Sequence, residues 1–410
     1  MVTDFRTGNG EEGGSVVDYD PYSDTAMTDP FPLYKAMRAE GCPHFIEKRN
    51  AWALTRFHDI RKASLNEAVL DYSHGQTPGQ LLLGEPCPTT FMTMNGAEHR
   101  KWRAVVAPFY TAAAAESDGP RIRDIAREVL APLLARGELD VYRDYANRIM
   151  CRNAGYNLGL PDQDAETCRG LIDEMLHREK GQVGAISDRN QSAAGQLFGY
   201  LAGFIAELRK APDRAVRVTK ALMDAESDGR QLSDQELVFY LFSLLVTGSE
   251  TTPMGVAATI YYLAKHPAQK AAVLADRALI PRAFAETLRF NQPTNMLARR
   301  ARQDFELGGK QIKAGQNLLF IYAAANRDEE RFAEAERFDI RRELRPDLSF
   351  GVGGHVCLGL HLGPVAGRVM LEELLAAVGD YELDAAGCER GYGEFLSGFT
   401  RVPIRFQSGG

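Results

Sequence analysis

One cysteine in this chain lies in a segment whose composition suits a metal ligand. Cys357 follows Phe350 by seven positions, and four of the ten residues in the segment 350–359 are glycine. A metal-bound sulfur must be a thiolate, which needs backbone N–H donors or a cation close to it. Glycines let the chain turn its amides inward and lie against a planar group. A free cysteine is more often a core residue, but this spacing favours a metal-thiolate site.

The segment 247–253 combines an acid and hydroxyl groups with two residues that weaken a helix. In a helix interior a glycine such as Gly248 costs about 1 kcal/mol and a proline such as Pro253 about 3 kcal/mol, which predicts a kink. An opened turn has room for a water or a diatomic ligand, to which Glu250 and Thr251 could relay protons. Taken alone, the segment fits a Pro-kinked structural helix with a solvated acid equally well.

Two pairs of charged side chains share a helix face. Glu286 and Arg289 are three residues apart, and His99 and Arg103 are four apart. By spacing alone, the first pair is typical of a surface salt bridge worth about 0.2–0.5 kcal/mol. The second pair is typical of a solvated basic face. Spacing therefore does not assign either pair to a site.

The segment 350–359 resembles the cysteine loop of the cytochrome P450 haem-thiolate monooxygenases. The family pattern is Phe-Gly-x-Gly-x-His-x-Cys-x-Gly, and every fixed position is filled, ending at Gly359. The resemblance implies that Cys357 is the axial ligand of haem iron, that Phe350 shields the sulfur, and that His355 and Gly359 contact the cofactor. Thiolate ligation donates electron density to iron and favours O–O cleavage.

The segment 247–251 is similar to the family's central-helix motif, Ala/Gly-Gly-x-Asp/Glu-Thr. By this resemblance, Gly248 lies at the cofactor, Thr251 holds oxygen-bound waters, and Glu250 connects these waters to bulk solvent. Thr247 departs from the motif, since the family has a small residue there. We expect its methyl and hydroxyl groups to intrude on the distal pocket.

The resemblance also assigns cations to the two haem propionates and an ionic network to the neighbourhood of the cysteine loop. The expected propionate donors are His99, Arg103, Arg299 and His355. Glu286 and Arg289 match the family's Glu-x-x-Arg, and Arg337 fills the place of a second arginine, although the proline usual before it is missing. We expect this network to be structural.

The positions expected to line the substrate pocket are mostly apolar. They are Leu82, Phe91, Leu244, Thr247, Thr294, Asn295, Met296, Leu297, Phe395 and Leu396. They predict a small to medium hydrophobic substrate, a terpenoid or an aromatic compound, with polar anchoring by Thr247 or Asn295. Each position could also be a core residue. Hydroxylation and O-dealkylation both begin with hydrogen abstraction at carbon, so both reactions stay open.

Helical periodicity dominates the chain and predicts a mainly α fold with a minor β part. Helices are expected at 32–39, 57–65, 99–110, 121–134, 145–158, 166–177, 191–210, 214–225, 234–266, 281–291 and 359–378. Strands are expected at 51–55, 298–302 and 305–307, with a hairpin in 395–406 and a long functional loop at 76–95. Pro364 is expected to bend or delay the last helix. The resemblance implies the cytochrome P450 fold, an α-helical triangular prism with small β-sheets.

Composition is that of an ordinary globular enzyme. The chain has 410 residues, of which 45% are hydrophobic and 25% charged. Its net charge of −7 gives no indication of a nucleic-acid partner, and no apolar run approaches the roughly 20 residues of a membrane span. The six cysteines lack zinc-type spacing. We expect a cytosolic protein with a disordered lead-in at 1–20 and no signal peptide, followed by one catalytic domain at 21–410.

The resemblance implies a monooxygenase that binds haem b and inserts one atom of O2 into an organic substrate. It also implies a separate ferredoxin or flavodoxin with a reductase that draws on NADH or NADPH. Basic residues expected to dock an acidic electron carrier are Arg100, Lys101, Arg341, Arg342 and Arg345. A peroxide-driven peroxygenase and a non-catalytic haem-binding protein are the alternatives, and the pair Glu250 and Thr251 argues against both.

Overall fold

The computed structural model of the protein describes residues 17–184, 187–227, 229–343 and 345–407. Its α-helices are α1 (Asp24–Thr28), α2 (Phe31–Glu40), α3 (Phe57–Leu65), α4 (Pro78–Leu83), α5 (Gly96–Val106), α6 (Ala112–Leu134), α7 (Asn147–Leu158), α8 (Ala165–Leu176), α9 (Asp188–Lys210), α10 (Arg217–Asp224), α11 (Asp234–Lys265), α12 (Pro267–Ala275), α13 (Ile280–Phe290), α14 (Tyr322–Ala325) and α15 (Leu362–Val378). A π-helix covers Val141–Ala146, and short 3-10 turns cover Glu47–Arg49, Glu67–Val69, Phe91–Thr93, Ala107–Tyr110, Asp162–Asp164, Pro212–Arg214, Arg277–Leu279 and Ala385–Gly387. The predicted mainly α fold is confirmed.

The strands are short and form one larger sheet and several small ones. They are β1 (His44–Ile46), β2 (Ala51–Leu54), β3 (Leu70–Asp71), β4 (Glu138–Asp140), β5 (Glu226–Ser227), β6 (Arg230–Gln231), β7 (Leu297–Ala301), β8 (Phe305–Leu307), β9 (Lys310–Ile312), β10 (Asn317–Phe320), β11 (Tyr381–Leu383), β12 (Glu389–Arg390), β13 (Phe399–Arg401) and β14 (Pro403–Phe406). The larger sheet has the order β1-β2-β10-β7-β3, with β10 parallel to β2 and the other pairs antiparallel.

The predicted hairpin at 395–406 is wrong. Strand β13 pairs with β12, whereas β14 lies between β11 and β4. Val402 separates the two strands, and it exchanges hydrogen bonds with the 140–141 segment instead: the Val141 N–H donates to the Val402 carbonyl at 2.9 Å, and the Val402 N–H donates to Asp140 at 3.3 Å. Strand β13 is therefore paired with the nearby β12, and β14 with the more distant β11 and β4, rather than the two with each other.

Helix α11 is the longest helix and carries the segment 247–253 near its middle. It begins with a capping box between Ser233 and Glu236, and it packs against α7, α9, the π-helix, α13 and α15. The helix continues through Gly248 and Pro253. Tertiary contacts along its buried length support the helix where the local sequence weakens it.

The last helix begins later than predicted, at Leu362, so Pro364 lies in its first turn. Amides in the first turn have no intrahelical acceptor, so the missing N–H of Pro364 costs no hydrogen bond there and the expected bend is not needed. Helix α12 was missed because it follows α11 after a single residue, His266. The expected loop at 76–95 contains α4 and a 3-10 turn.

The N-terminal lead-in predicted at 1–20 lies mostly outside the described residues. From residue 17 onward the chain is part of the folded body: Tyr19 is buried, and Asp20 accepts hydrogen bonds from Lys48 and Arg49 at 2.7 and 3.1 Å. Residues 17–20, which the sequence assigns to the lead-in, are therefore packed within the fold. Within the described ranges, no helix combines the length and the apolar character that a membrane span requires.

Candidate functional site

The cysteine loop, residues 350–359, is a tight backbone structure that precedes α15. The Cys357 N–H donates to the Phe350 carbonyl at 2.8 Å and closes the loop. Gly351 and Gly353 have φ values of 67° and 90°, which favour glycine. A Cβ on Gly353 would lie 2.5 Å from the Ser64 carbonyl oxygen at the end of α3, so a side chain cannot be accommodated. The Gly354 N–H donates to Glu67 at 2.7 Å, which anchors the loop on a second residue of this region.

This loop presents the Cys357 thiol. All six cysteines of the chain are free, and Cys357 is the exposed one, whereas Cys151 and Cys168 are buried. Although the residue is exposed, the protein atoms packed around the thiol raise its pKa, while a hydrogen bond from the Gly359 N–H and the nearby Arg103 guanidinium lower it. A cation and an amide next to an accessible sulfur are the surroundings that a ligating thiolate requires.

The predicted propionate donors come together beside the cysteine loop. The rings of His99 (α5) and His355 are stacked with centroids 3.8 Å apart, and Tyr72 stacks on His355 at 3.6 Å. The Arg299 guanidinium (β7) lies 4.7 Å from the centre of the Tyr72 ring. Arg103 donates to the Val356 carbonyl at 2.6 Å. Burial, His99, Arg299 and Arg103 together hold the pKa of His355 well below its usual range.

This cluster of cations and imidazoles fits the cofactor that the resemblance implies. His99 is 1% exposed, yet neither of its ring nitrogens has a hydrogen-bond partner among the described residues. Buried polar atoms are normally paired, so this imidazole is available to a hydrogen-bonding group from outside the chain. An accessible thiol for iron and neighbouring donors for two carboxylates are the set that a haem would use.

The segment 247–252 of α11 lies close to this loop. A Cβ on Gly363 would be 3.3 Å from the Phe350 ring and 3.6 Å from the Thr252 hydroxyl, so α15, the loop and α11 meet there. Thr251 is half-buried, and its hydroxyl makes no hydrogen bond to the described part of the chain. By contrast, the Thr247 and Thr259 hydroxyls donate to the carbonyls four residues earlier, at 2.7 and 2.8 Å. Thr251 therefore keeps a free hydroxyl.

Gly248 and Thr247 occupy different faces of α11. A Cβ on Gly248 would lie 3.4 Å from the Ala154 Cβ of α7, an ordinary van der Waals contact. The predicted cofactor contact of Gly248 stays a prediction. Thr247 is exposed, as expected for a residue that reaches into a pocket.

Glu250 points away from Thr251, into the protein. Its side chain is 4% exposed and accepts hydrogen bonds from the Tyr142 hydroxyl at 2.7 Å and from the Asn147 amide at 3.1 Å. Burial, and then the nearby Asp173 carboxylate, raise the pKa of Glu250 to about 7. The predicted link from Glu250 to bulk solvent is thus not a direct one.

The predicted ionic network is present, with one member corrected. Glu286 and Arg289 form a buried ion pair at 2.8 Å, and Arg289 also donates to the carbonyls of Asn326 and Ala335. The Arg337 side chain does not join them: it is 58% exposed and pairs with Glu334 and Asp339, and only the Arg337 carbonyl touches the network, by accepting from Arg289 at 3.3 Å. The Glu286 carboxylate instead accepts from Arg342 at 3.2 Å, which is 14% exposed.

Several predicted pocket residues are core residues instead. Asn295 is fully buried, and its amide is used within the protein: it accepts from the Tyr34 hydroxyl at 3.0 Å and donates to the Glu394 carbonyl at 2.8 Å. A fully buried side chain with both ends of its amide engaged is not exposed to a substrate, which argues against the predicted anchor role. Met296 is buried in the apolar cluster that contains Tyr34.

Phe91 and Leu244 are likewise buried, in a second apolar cluster that also contains Trp102 and Tyr240. The remaining predicted positions stay accessible. Leu82, Thr294, Leu297, Phe395 and Leu396 are half-buried, and Thr247 is exposed. Thr294 and Leu396 form an isolated antiparallel bridge, which joins the two distant segments that carry most of these residues.

The predicted basic docking surface is reduced by one residue. Arg100, Lys101, Arg341 and Arg345 are exposed, and Arg345 pairs with Glu343 at 2.9 Å. Arg342 is turned inward to Glu286 and to the carbonyls of Ala333, Glu334 and Arg337. It belongs to the ionic network rather than to a docking surface.

Sequence patterns missed the site roles of four residues, which are Tyr72, Tyr142, Asn147 and Arg342. Tyr142 and Asn147 lie in and just after a π-helix, where the usual 3.6-residue periodicity does not apply. Tyr72 follows a two-residue strand and carries no motif. For Arg342, the one available signal is a second arginine five residues after Arg337.

Comparisons with known proteins agree with the geometry of the cysteine loop. A family model described as "Cytochrome P450" matches residues 182–377. A "Putative cytochrome P450 123" of Mycobacterium tuberculosis is 33% identical over 392 residues, which cover 95% of this chain and 97% of the relative. The "Vitamin D(3) 25-hydroxylase" of Pseudonocardia autotrophica is 31% identical over 393 residues, covering 94% and 96%. Among solved structures, a "Post-tailoring Hydroxylase (HmtN) Involved in the Himastatin Biosynthesis" has a TM-score of 0.82 at 27% identity and covers 94% of this chain and 99% of its own.

Proposed function

The chain belongs to the cytochrome P450 family, and from this premise we propose that it hydroxylates a small to medium hydrophobic compound with electrons from a separate carrier protein. Membership in the family makes it a monooxygenase and implies the use of haem and O2. The observation that carries the assignment to this chain's own residues is the accessible Cys357 thiol in a loop whose His355 stacks on the buried His99, and the ring nitrogens of His99 have no hydrogen-bond partner among the described residues.

The residues of the site would have separate roles in haem binding and in proton delivery. Cys357 would ligate iron of haem b, with Phe350 and the glycine backbone around the sulfur. His99, Arg103, Arg299 and His355 would bind the propionates, because they form one group with few internal partners. When bound, the haem supplies reductive activation of O2. The free Thr251 hydroxyl would hold water for proton delivery to the oxygen.

The substrate is proposed from the accessible pocket positions. Leu82, Leu297, Phe395 and Leu396 offer apolar contacts, and Thr247 and Thr294 offer hydroxyls. Asn295 is fully buried and its amide bonds at both ends within the protein, whereas the exposed Thr247 hydroxyl donates to the Ser243 carbonyl and keeps its oxygen as an acceptor, so Thr247 is the better polar anchor of the two predicted ones. A terpenoid or aromatic compound with a single polar group would fit this composition. O-dealkylation begins with the same hydrogen abstraction, so a methoxy group at the reacting carbon would redirect the outcome.

Electrons would come from a ferredoxin or flavodoxin reduced by an NADH- or NADPH-dependent reductase. The exposed residues Arg100, Lys101, Arg341 and Arg345 provide positive charge for an acidic carrier. A cytosolic location stays a prediction from the sequence.

A substrate screen by the haem spin-state change, followed by turnover with NADPH and a surrogate ferredoxin and reductase, tests the proposal. We expect an oxygenated product from at least one hydrophobic hit, formed only with O2 and reductant. Product formation with hydrogen peroxide but not with O2 and reductant would instead support a peroxygenase. Haem binding without any turnover would support a non-catalytic role.

Replacing Thr251 with alanine should uncouple the reaction. The variant is expected to consume NADPH at a similar rate but to release most of the electrons as hydrogen peroxide, because the hydroxyl that holds the proton-donating water is gone. Thr251→Ser, which keeps the hydroxyl, is the control and should stay coupled. Product per NADPH is the measurement, and an unchanged ratio in Thr251→Ala would remove this residue from proton delivery.

Thr247→Ala tests the pocket. Removing the exposed hydroxyl and methyl groups should change the amplitude or midpoint of the spin-state titration with a screened hit, by up to about tenfold in affinity for one lost polar contact. Thr259→Ala, on the same helix but with a buried hydroxyl bonded to Gly255, is the control. Identical titration curves for wild type and Thr247→Ala would exclude Thr247 from the substrate site.

A further inference from the structure

The Glu250 carboxylate is the centre of a hydrogen-bond triad that faces away from Thr251. Each carboxylate oxygen accepts a hydrogen bond: Oε2 from the Tyr142 hydroxyl at 2.7 Å, and Oε1 from the Asn147 side-chain amide at 3.1 Å. The Asn147 amide also donates to the Tyr142 oxygen at 3.2 Å, which links the two donors. All three side chains are buried. The triad therefore fixes the direction of the acid.

Local structure places Tyr142 for this contact. The residue lies in the π-helix Val141–Ala146, and Asp140 caps that helix by accepting from the Tyr142 N–H at 2.9 Å. Single π-turns cost stability and occur often at functional positions. Neighbouring Tyr145 points elsewhere, since its hydroxyl donates to the Met370 carbonyl at 2.7 Å. Only one of the two tyrosines thus serves the acid.

Two buried polar atoms of the described residues lack a partner in the surroundings of Glu250, one on Asn147 itself and one on Arg169, whose charge acts on the acid. The Asn147 Oδ1 acceptor and the Arg169 Nε donor are buried and have no hydrogen-bond partner among the described residues. Such atoms usually mark internal water positions. Asp173 is half-buried and pairs with Arg169 at 2.8 Å, and Arg169 also pairs with Glu166, whose side chain is 55% exposed. The Asp173 and Arg169 charges also act on the pKa of Glu250, so the ion pairs of α8 connect the surroundings of the acid with the surface.

The titratable and charged groups around Glu250 come from three elements. They are Tyr142 on the π-helix, Cys151 on α7, and Arg169 and Asp173 on α8. Burial and Asp173 raise the pKa of Glu250, whereas Tyr142, Asn147 and Arg169 lower it, and the balance is about 7. An acid with a pKa near neutrality can both take up and release a proton at the working pH.

We propose that Tyr142 and Asn147 are positioning residues that hold Glu250 toward Asp173, so that the protons used in oxygen activation enter between α7 and α8. The inference deepens the proposed monooxygenase function and rests on it. The Glu250 carboxylate gains a proton from water on the Asp173 side. Loss of the negative charge weakens the hydrogen bonds from Tyr142 and Asn147, so the protonated side chain turns toward Thr251, where its O–H bond breaks as the proton passes to water; no electrons move in any step.

Two substitutions near Glu250 should shift the midpoint of its protonation in opposite directions. Tyr142→Phe removes a donor to the carboxylate and should move the midpoint of Glu250 protonation up by about one pH unit. Asp173→Asn removes the negative charge that favours the protonated acid and should move the midpoint down by a similar amount. Tyr145→Phe loses a hydroxyl from an equally buried neighbour that does not touch Glu250 and should leave the midpoint unchanged.

Infrared titration of the haem-loaded protein measures the midpoint of Glu250 protonation without a substrate. The C=O stretch of the protonated acid is assigned by its loss in Glu250→Gln, and its midpoint is followed in the wild type and the three variants. The same variants are then assayed for product per NADPH against pH, with a hit from the spin-state screen. We expect the pH at which coupling is half lost to shift in the same directions as the infrared midpoint.

Opposite shifts for Tyr142→Phe and Asp173→Asn, with none for Tyr145→Phe, support the proposal. Midpoints that do not move, or that move in the same direction in both variants, overturn it. So does an infrared shift without a change in the coupling profile, because Glu250 would then titrate without serving the reaction. A wild-type protein that binds haem but gives no product with O2 and NADPH overturns the proposed function itself, whatever the infrared titration shows.

Discussion

Replacing Cys357 with serine is expected to abolish product formation from O2 and NADPH. Changes to groups that only support a metal ligand already cost about 10- to 100-fold, so loss of the ligand itself should cost more than about 100-fold. A serine hydroxyl stays protonated at neutral pH and cannot donate electron density to iron as a thiolate does. The measurement is the turnover number per bound haem, with haem content determined separately.

The matched control is Cys388→Ser. Cys388 is half-buried and its thiol donates to the Asp384 carbonyl, far along the chain from the cysteine loop. This variant should keep its activity. If the Cys357→Ser variant had the same turnover number as the wild type, the sulfur of this residue would not take part in the reaction.

Replacing Glu286 with glutamine is expected to lower the free energy of unfolding by about 3–5 kcal/mol. The Glu286 and Arg289 side chains are 4% and 3% exposed, so the substitution leaves a buried guanidinium without its counter-charge. It also weakens the hydrogen bonds that the carboxylate accepts from the Asp339 N–H and from Arg342. Denaturant unfolding of the haem-free and haem-loaded protein measures the loss.

Glu334→Gln is the control for this prediction. Glu334 pairs with Arg337 at 2.9 Å, but both side chains are more than half exposed, so its loss should cost at most about 1 kcal/mol. Arg342→Ala and Arg337→Ala extend the comparison to the corrected member of the network. If Arg337→Ala destabilised the protein more than Arg342→Ala, the assignment of Arg342 to the network would be wrong.

The parts of the site that could be predicted from the sequence are those that depend on local spacing. The cysteine loop is one contiguous segment, so its glycines, His355 and Cys357 have a fixed relation that a pattern can capture. His99 and Arg103 share one helix face, and α5 places both beside the loop as expected. Long amphipathic helices such as α9 follow from the same local periodicity.

Residues whose role depends on distant contacts could not be assigned in this way. Arg337 and Arg342 lie in one short segment, and the turns that expose the first and direct the second at Glu286 are tertiary features. The sequence predicts Asn295 as a substrate anchor, but its amide oxygen accepts from Tyr34, which comes from the N-terminal part of the chain. The direction of Glu250 depends on a π-helix about a hundred residues earlier.

The carbon monoxide spectrum of the purified, reduced protein tests the central claim most directly. If Cys357 ligates haem iron, the wild type should show the red-shifted Soret band of a thiolate-ligated ferrous carbonyl complex, and Cys357→His should replace it with the band of an imidazole-ligated one. A wild-type protein that binds no haem, or that already shows the imidazole-type band, would contradict the assignment.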